Sequence, residues 1–128
     1  MLAVDASIAV DASFGRIAIE RLGALVAPPL LWSEARSAIH ELGWRGEVAT
    51  THARDAHAVL HTLPIERREP PGLGDEAWRL ADELGWAKTY DAEYVALASL
   101  LGCRLVTRDA RLRRGAEGLG FVVGPLEV

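Results

Sequence analysis

Apolar residues along this chain fall into short blocks of two kinds. Compact runs at Leu2–Val4, Ala24–Ala27 and Cys103–Thr107 have the length of buried strands. Elsewhere the apolar positions recur at helical spacing. Leu31, Ala35, Ala38, Ile39 and Leu42 predict a helix over Pro29–Leu42 that ends before Gly43. Its opening prolines suit a first turn, where no N–H is needed. The same spacing predicts helices over Ala6–Phe14 (Ile8 and Val10 inward), Arg16–Leu22, Glu47–Leu63, Asp75–Leu84, Tyr90–Leu101 and Ala110–Arg114. In Glu47–Leu63 the inward positions are Val48, Ala56, Val59, Leu60 and Leu63; in Asp75–Leu84 they are Trp78, Leu80, Ala81 and Leu84. Pro64–Glu66 and Phe121–Val123 complete the strands, and Arg67–Gly74 is a polar loop.

Strands alternating with helices imply right-handed crossovers and a parallel sheet covered on both faces. The expected fold class is therefore α/β: three layers, α/β/α, in one domain over residues 1–128. Such sheets bind ligands outside the carboxyl ends of their strands. Asp5 and Asp109 fall just past two of those ends. Glu34 borders the buried stripe of its helix, between Leu30 and Ala38, and Asp91 stands in a first turn on the side of Tyr94, Val95 and Ala98. Each acid has a structural use. Asp5 and Asp109 suit helix caps, Asp91 suits the helix dipole, and Glu34 suits a solvated border. Gathered on one edge, however, four carboxylates lose hydration and repel one another. A divalent cation such as Mg²⁺ is the natural counter-charge. Ser7 is placed to cap a helix or hold a metal-bound water. Thr107 is placed to orient Asp109 or bind water, and Asp11 is expected to face solvent.

Half of the 128 residues are hydrophobic, enough for one real core. The net charge of −4 argues against a generic nucleic-acid coat protein, though not against a locally basic site. Arginine supplies 13 of the 14 basic residues, and its planar fork suits phosphate. Arg104, Arg108, Arg111, Arg113 and Arg114 crowd around Asp109, and Lys88 precedes Asp91. These six are candidates for positioning phosphates beside the acids. The single cysteine, Cys103, excludes an internal disulfide and a cysteine-rich zinc site. His40, His52, His57 and His61 have no ligand spacing around the acids, although His57 and His61 can share a helix face. No uncharged stretch reaches about 18 residues, so no membrane span is expected. The acidic N-terminus makes a poor leader peptide. A soluble cytoplasmic protein is the expectation.

Four segments resemble, in order, the motifs of PIN domains, and specifically of the VapC toxins of type II toxin–antitoxin pairs. They are Val4-Asp5-Ala6-Ser7, then Pro29-Leu30-Leu31-Trp32-Ser33-Glu34, then Tyr90-Asp91-Ala92-Glu93-Tyr94-Val95-Ala96-Leu97-Ala98, and finally Leu105-Val106-Thr107-Arg108-Asp109-Ala110-Arg111-Leu112. The third is the most specific. Many members have Asn three residues after the second acid, where this chain has Ser37. The resemblance implies a PIN-like fold in which Asp5, Glu34, Asp91 and Asp109 hold Mg²⁺ or Mn²⁺. It implies an endoribonuclease that hydrolyses RNA phosphodiesters with a metal-activated water. It also implies inhibition by a cognate VapB-like antitoxin, and a homodimer. Trp32 and Trp44 are then either interface residues or, as expected here, core. Two other readings compete. One is a PIN-like RNA- or protein-binding module without catalysis. The other is a phospho-acceptor receiver domain. That would want paired acids after the first strand and an Asp after the third, whereas this chain offers Asp5 alone and Ile65-Glu66-Arg67-Arg68.

Overall fold

Leu2, Ala3 and Val4 form the central strand of a sheet, and all three are buried. The computed structural model describes residues 1–128. Five short strands make one wholly parallel sheet: β1 (Leu2–Val4), β2 (Leu25–Ala27), β3 (Ile65–Arg67), β4 (Arg104–Val106) and β5 (Val122–Val123). Their spatial order is β3-β2-β1-β4-β5. Ala3 faces Val26 on one side and Leu105 on the other, and Val4 faces Val106. Successive strands run outward from β1 in one direction to β3. The order then reverses, so β1 and β4 flank the switch point where such sheets bind ligands.

Six helices cover the sheet: α1 (Ala6–Ser13), α2 (Leu30–Trp44), α3 (Thr50–Leu60), α4 (Leu73–Leu84), α5 (Tyr90–Leu101) and α6 (Ala110–Gly115). Helices α1, α2 and α3 pack together as one group and α4 and α5 as another, with α5 laid against β1 and β4. Every residue from Tyr94 to Ala98 is buried. A helix apolar on all sides belongs inside, and α5 is the helical centre of the core.

The elements match the sequence expectations in kind and differ at their ends. Helix α2 continues through Gly43 to Trp44, and the left-handed turn falls at Gly46 (φ 73°). Gly43 stays within the helix because α3 passes close by: a Cβ there would stand 3.0 Å from the Cβ of Ala53. Only Ile19–Leu22 of the expected Arg16–Leu22 helix is helical, as a 3₁₀ turn. Helix α3 is confined to Thr50–Leu60; Val48 and Leu63 still pack on the core from its flanks, but Val59 is exposed. Helix α4 begins early, at Leu73, and turns Ala77 inward. Trp78, expected inside, is 67% exposed. Trp44 is not core either, being 82% exposed. Trp32 is half-buried under the Arg67 guanidinium, 4.9 Å from its ring centroid. No helix is long and apolar enough to cross a membrane.

Candidate active site

Asp5 leaves β1 and caps α1. Its Oδ1 accepts from the Ile8 N–H at 3.3 Å and from the Ser7 hydroxyl at 2.6 Å. Its Oδ2 accepts from the Thr107 hydroxyl, brought in by β4. Thr107 in turn accepts from the Asp109 N–H at 2.9 Å. The Thr107 hydroxyl therefore holds the Asp5 side chain and only the backbone of Asp109. Ser7 also accepts from the Arg108 N–H at 2.9 Å, which stitches the ends of β1 and β4 together. Asp109 caps α6 by accepting from the N–H groups of Arg111 at 2.9 Å and Leu112 at 3.2 Å. Both caps expected from the sequence thus form, and both carboxylates stand at the switch point.

Helices α2 and α5 bring the other two acids. In a parallel sheet the returning helices run against the strands, so the first turns of α2 and α5 lie at the carboxyl edge. Glu34 is half-buried on α2, and its Oε1 accepts from the Tyr94 hydroxyl at 2.5 Å. Tyr94 is a site residue that periodicity assigned only to the core. Asp91 opens α5 and is exposed, although its helix direction had suggested the apolar side.

The acids sense one another. Burial pushes the Asp5 carboxyl up to about 6, with Asp109 adding repulsion, although the bonds from Ser7, Thr107 and Ile8 pull it back. Asp91 is raised first by desolvation and then by Asp109, and Arg111 opposes this. Glu34 is raised by burial and by Asp91, against the lowering bond from Tyr94. Glu93, in the same first turn of α5 as Asp91, is raised by burial, then by Glu34 and Glu69, and extends the acidic row. Burial and the bond to Glu34 push the Tyr94 phenol far above its ordinary value, so it remains a donor throughout the working pH range.

A row of oxygen ligands with raised carboxyls suits a hard cation, because a cation would reverse each of these repulsions. No three His, Cys, Asp or Glu side chains converge closely enough to hold one ion between them. Mg²⁺ does not demand that, since it keeps several waters and binds through one or two carboxylates. The donor set therefore fits a water-rich divalent site.

The basic residues divide by location. A cleft of about 740 Å³ opens beside the acids, lined by Glu34, Asp91, Lys88, Tyr90, Arg111 and Arg114. None of its three cations makes an ion pair. On the other flank, a cleft of about 820 Å³ includes Thr107, Arg16, Arg21, Arg108 and Arg113. Three of these arginines are engaged: Arg16 and Arg108 with Asp11, and Arg113 with Glu127. Asp11, expected in solvent, is 7% exposed and anchors that pair of arginines. Arg104 begins β4 and so lies at the opposite edge of the sheet, in a hollow with Met1 and Cys103 that has no acidic side chain. His57 and His61 do share a face of α3, with Nε2 atoms 3.3 Å apart and Arg36 Nε 3.2 Å from His57, away from the acids. Ser37 is exposed.

Comparison with known proteins gives a consistent result. The PIN domain family model matches residues 2–118. Ribonuclease VapC9 of Mycobacterium tuberculosis is 36% identical over 118 residues, covering 88% of each chain. Ribonuclease VapC1 of the same organism is 38% identical over 127 residues, covering 91% of this chain and 90% of its own. A crystal structure of a Pyrobaculum aerophilum protein superimposes with a TM-score of 0.73 at 29% identity, over 98% of this chain and 91% of that one. A toxin–antitoxin complex from Klebsiella pneumoniae contains a chain of the same fold, with a TM-score of 0.66 at 19% identity over 96% of both.

Proposed function

The chain belongs to the PIN domain family, and from that premise we propose that it is a divalent-metal-dependent endoribonuclease of the VapC kind, the toxin of a type II toxin–antitoxin pair acting in the cytoplasm. The observation that carries this is the row of mutually repelling carboxylates at the sheet's switch point. Asp5, Asp91 and Asp109 would share Mg²⁺ or Mn²⁺, no more than two of them directly and the rest through its waters, and Glu34 would complete the coordination through a water or hold a second ion. When bound, the cation supplies an acidified water and neutralises charge on the phosphoryl oxygens. The hydroxyls of Ser7 and Thr107 fix the Asp5 rotamer, so its carboxylate meets the cation preorganised. Tyr94 does the same for Glu34. Lys88, Arg111 and Arg114 are free to place the RNA backbone beside the acids. Arg108 and Arg113 act instead in ion pairs, and Arg104 is remote. No side-chain nucleophile is required.

A cognate antitoxin would compete for the same acidic and basic cleft, presenting an arginine to the carboxylates. A homodimer is part of the proposal, with exposed Trp44 a candidate interface residue.

Purified protein with Mg²⁺ is expected to cleave RNA endonucleolytically. Asp5→Asn and Asp91→Asn are expected to lower cleavage by on the order of a hundredfold or more, with an intact thermal transition. Full activity in both variants would sink the assignment. An inert wild-type protein that still binds RNA would favour the binding-module reading.

A further inference from the structure

Tyr90 is the one large aromatic in the free-cation cleft with more than half of its surface open, at 54% exposure. It immediately precedes Asp91 at the start of α5, so its ring stands within one residue of the acidic row. It is not among the partly buried hydrophobics packed against the core. Trp86 lines the same cleft but is a fixed wall: its indole edge sits against Gly115, where a Cβ would come within 2.9 Å. The cleft thus combines unpaired cations with an open aromatic face beside Asp91. Alternating cationic and aromatic contacts are how proteins track a single strand, with phosphates on the cations and a base on the ring.

We propose that Tyr90 is the base platform of the site: the nucleobase adjoining the cleaved phosphate leaves its stack and lies on the Tyr90 ring, while Lys88, Arg111 and Arg114 hold the flanking phosphates. This rests on the ribonuclease reading above. It also gives the substrate strand a direction of exit, through the cleft between α5 and α6 rather than past Thr107, where three of the four arginines are already paired. A base held within a duplex cannot reach the ring, so the platform selects nucleotides in loops and unpaired segments.

The test uses the full chain and a mixed-sequence single-stranded RNA carrying 2-aminopurine, first in EDTA so that no cleavage occurs. Wild type and Tyr90→Phe are expected to bind and to quench the fluorophore. Tyr90→Ala is expected to lose the quench and to bind about 5- to 150-fold more weakly, the range of one base–aromatic stack. With Mg²⁺, Tyr90→Ala should raise KM and leave kcat nearly unchanged, since the stack is present before and during reaction. Trp78→Ala removes an aromatic that is barer still but outside the cleft, and should change neither reading. Wild-type quenching and KM in Tyr90→Ala would overturn the platform alone. A wild-type protein that neither binds nor cleaves RNA would overturn the ribonuclease reading and the platform with it.

Discussion

Tyr94 is 1% exposed, yet its hydroxyl reaches a carboxylate 60 positions earlier in the chain. Removing that oxygen alone separates packing from positioning. Tyr94→Phe keeps the ring in the core and should cost only about 1 kcal/mol of stability, because water can reach half-buried Glu34. Activity or Mg²⁺ affinity should fall about 10- to 100-fold, as for other groups that orient a metal ligand. Steady-state kinetics over a Mg²⁺ titration would show it; unchanged kinetics would mean that Glu34 needs no anchor. Asp5 makes a prediction about pH. Its carboxyl is raised in the folded protein to about 6 from 3.8, so between those values the folded state binds the extra proton. The stability it contributes is complete below about pH 4 and is lost as pH rises through about 6. Without metal, wild type should therefore weaken over that window by up to about 3 kcal/mol relative to Asp5→Asn, and Mg²⁺ should restore wild type only. Thermal melts of both proteins from pH 4 to 7 decide this, and parallel curves would refute it. The positions of Asp5, Asp91 and Asp109 could be read in the sequence because each sits at a strand end or helix start, and that of Glu34 because it borders a buried stripe. The burial of Asp11 could not, because Arg108, one of the two arginines that cover it, comes from 97 residues away and leaves no local pattern.

At the scale of elements, β1 and α5 were the easiest to read, since β1 is a wholly buried apolar run and α5 has an unbroken buried stretch from Tyr94 to Ala98. Leu97 is fully buried in α5. Leu97→Ala should cost about 2–5 kcal/mol, whereas Trp78→Ala on α4 should stay within about 0.5 kcal/mol. Chemical denaturation would rank them, and equal losses would contradict the burial of α5. Helix α4 shows why the sequence misplaced Trp78. Leu80, Ala81 and Leu84 allow either residue 77 or 78 as the preceding inward position, and hydropathy prefers the tryptophan. The tight packing of α4 on α5 takes the alanine. The start of α3 was illegible for another reason. Glu47 and Val48 are acceptable helix residues, but both their N–H groups bond back to the Leu42 carbonyl, at 3.0 and 3.4 Å. They complete the end of α2 rather than beginning α3.

Over the whole molecule, a net charge of −4 conceals a division. The acids and the unpaired cations Lys88, Arg111 and Arg114 share one edge of the sheet, and Arg104 lies at the other. RNA binding should therefore depend on salt through those three. Their combined replacement by alanine should reduce the slope of log K against log salt by about 2, at about 0.7 for each phosphate contact on a single strand. Arg104→Ala should leave the slope unchanged. Fluorescence titrations at several salt concentrations measure it, and a change in slope from Arg104→Ala would reassign the RNA-binding face.

The strand order has a consequence for how the protein is made. Strand β1 is synthesised before its partner β4, which begins only at residue 104. The hydroxyl that fixes Asp5 comes from 102 residues later. Contacts of such long sequence separation form late and slowly. A growing chain on the ribosome carries Asp5 and Glu34 long before Thr107 and Asp109 are added, and until then the central strand lacks one neighbour. An unfinished copy therefore carries acids without the edge that gathers them, and a chain truncated before β4 is expected to be inactive as a nuclease.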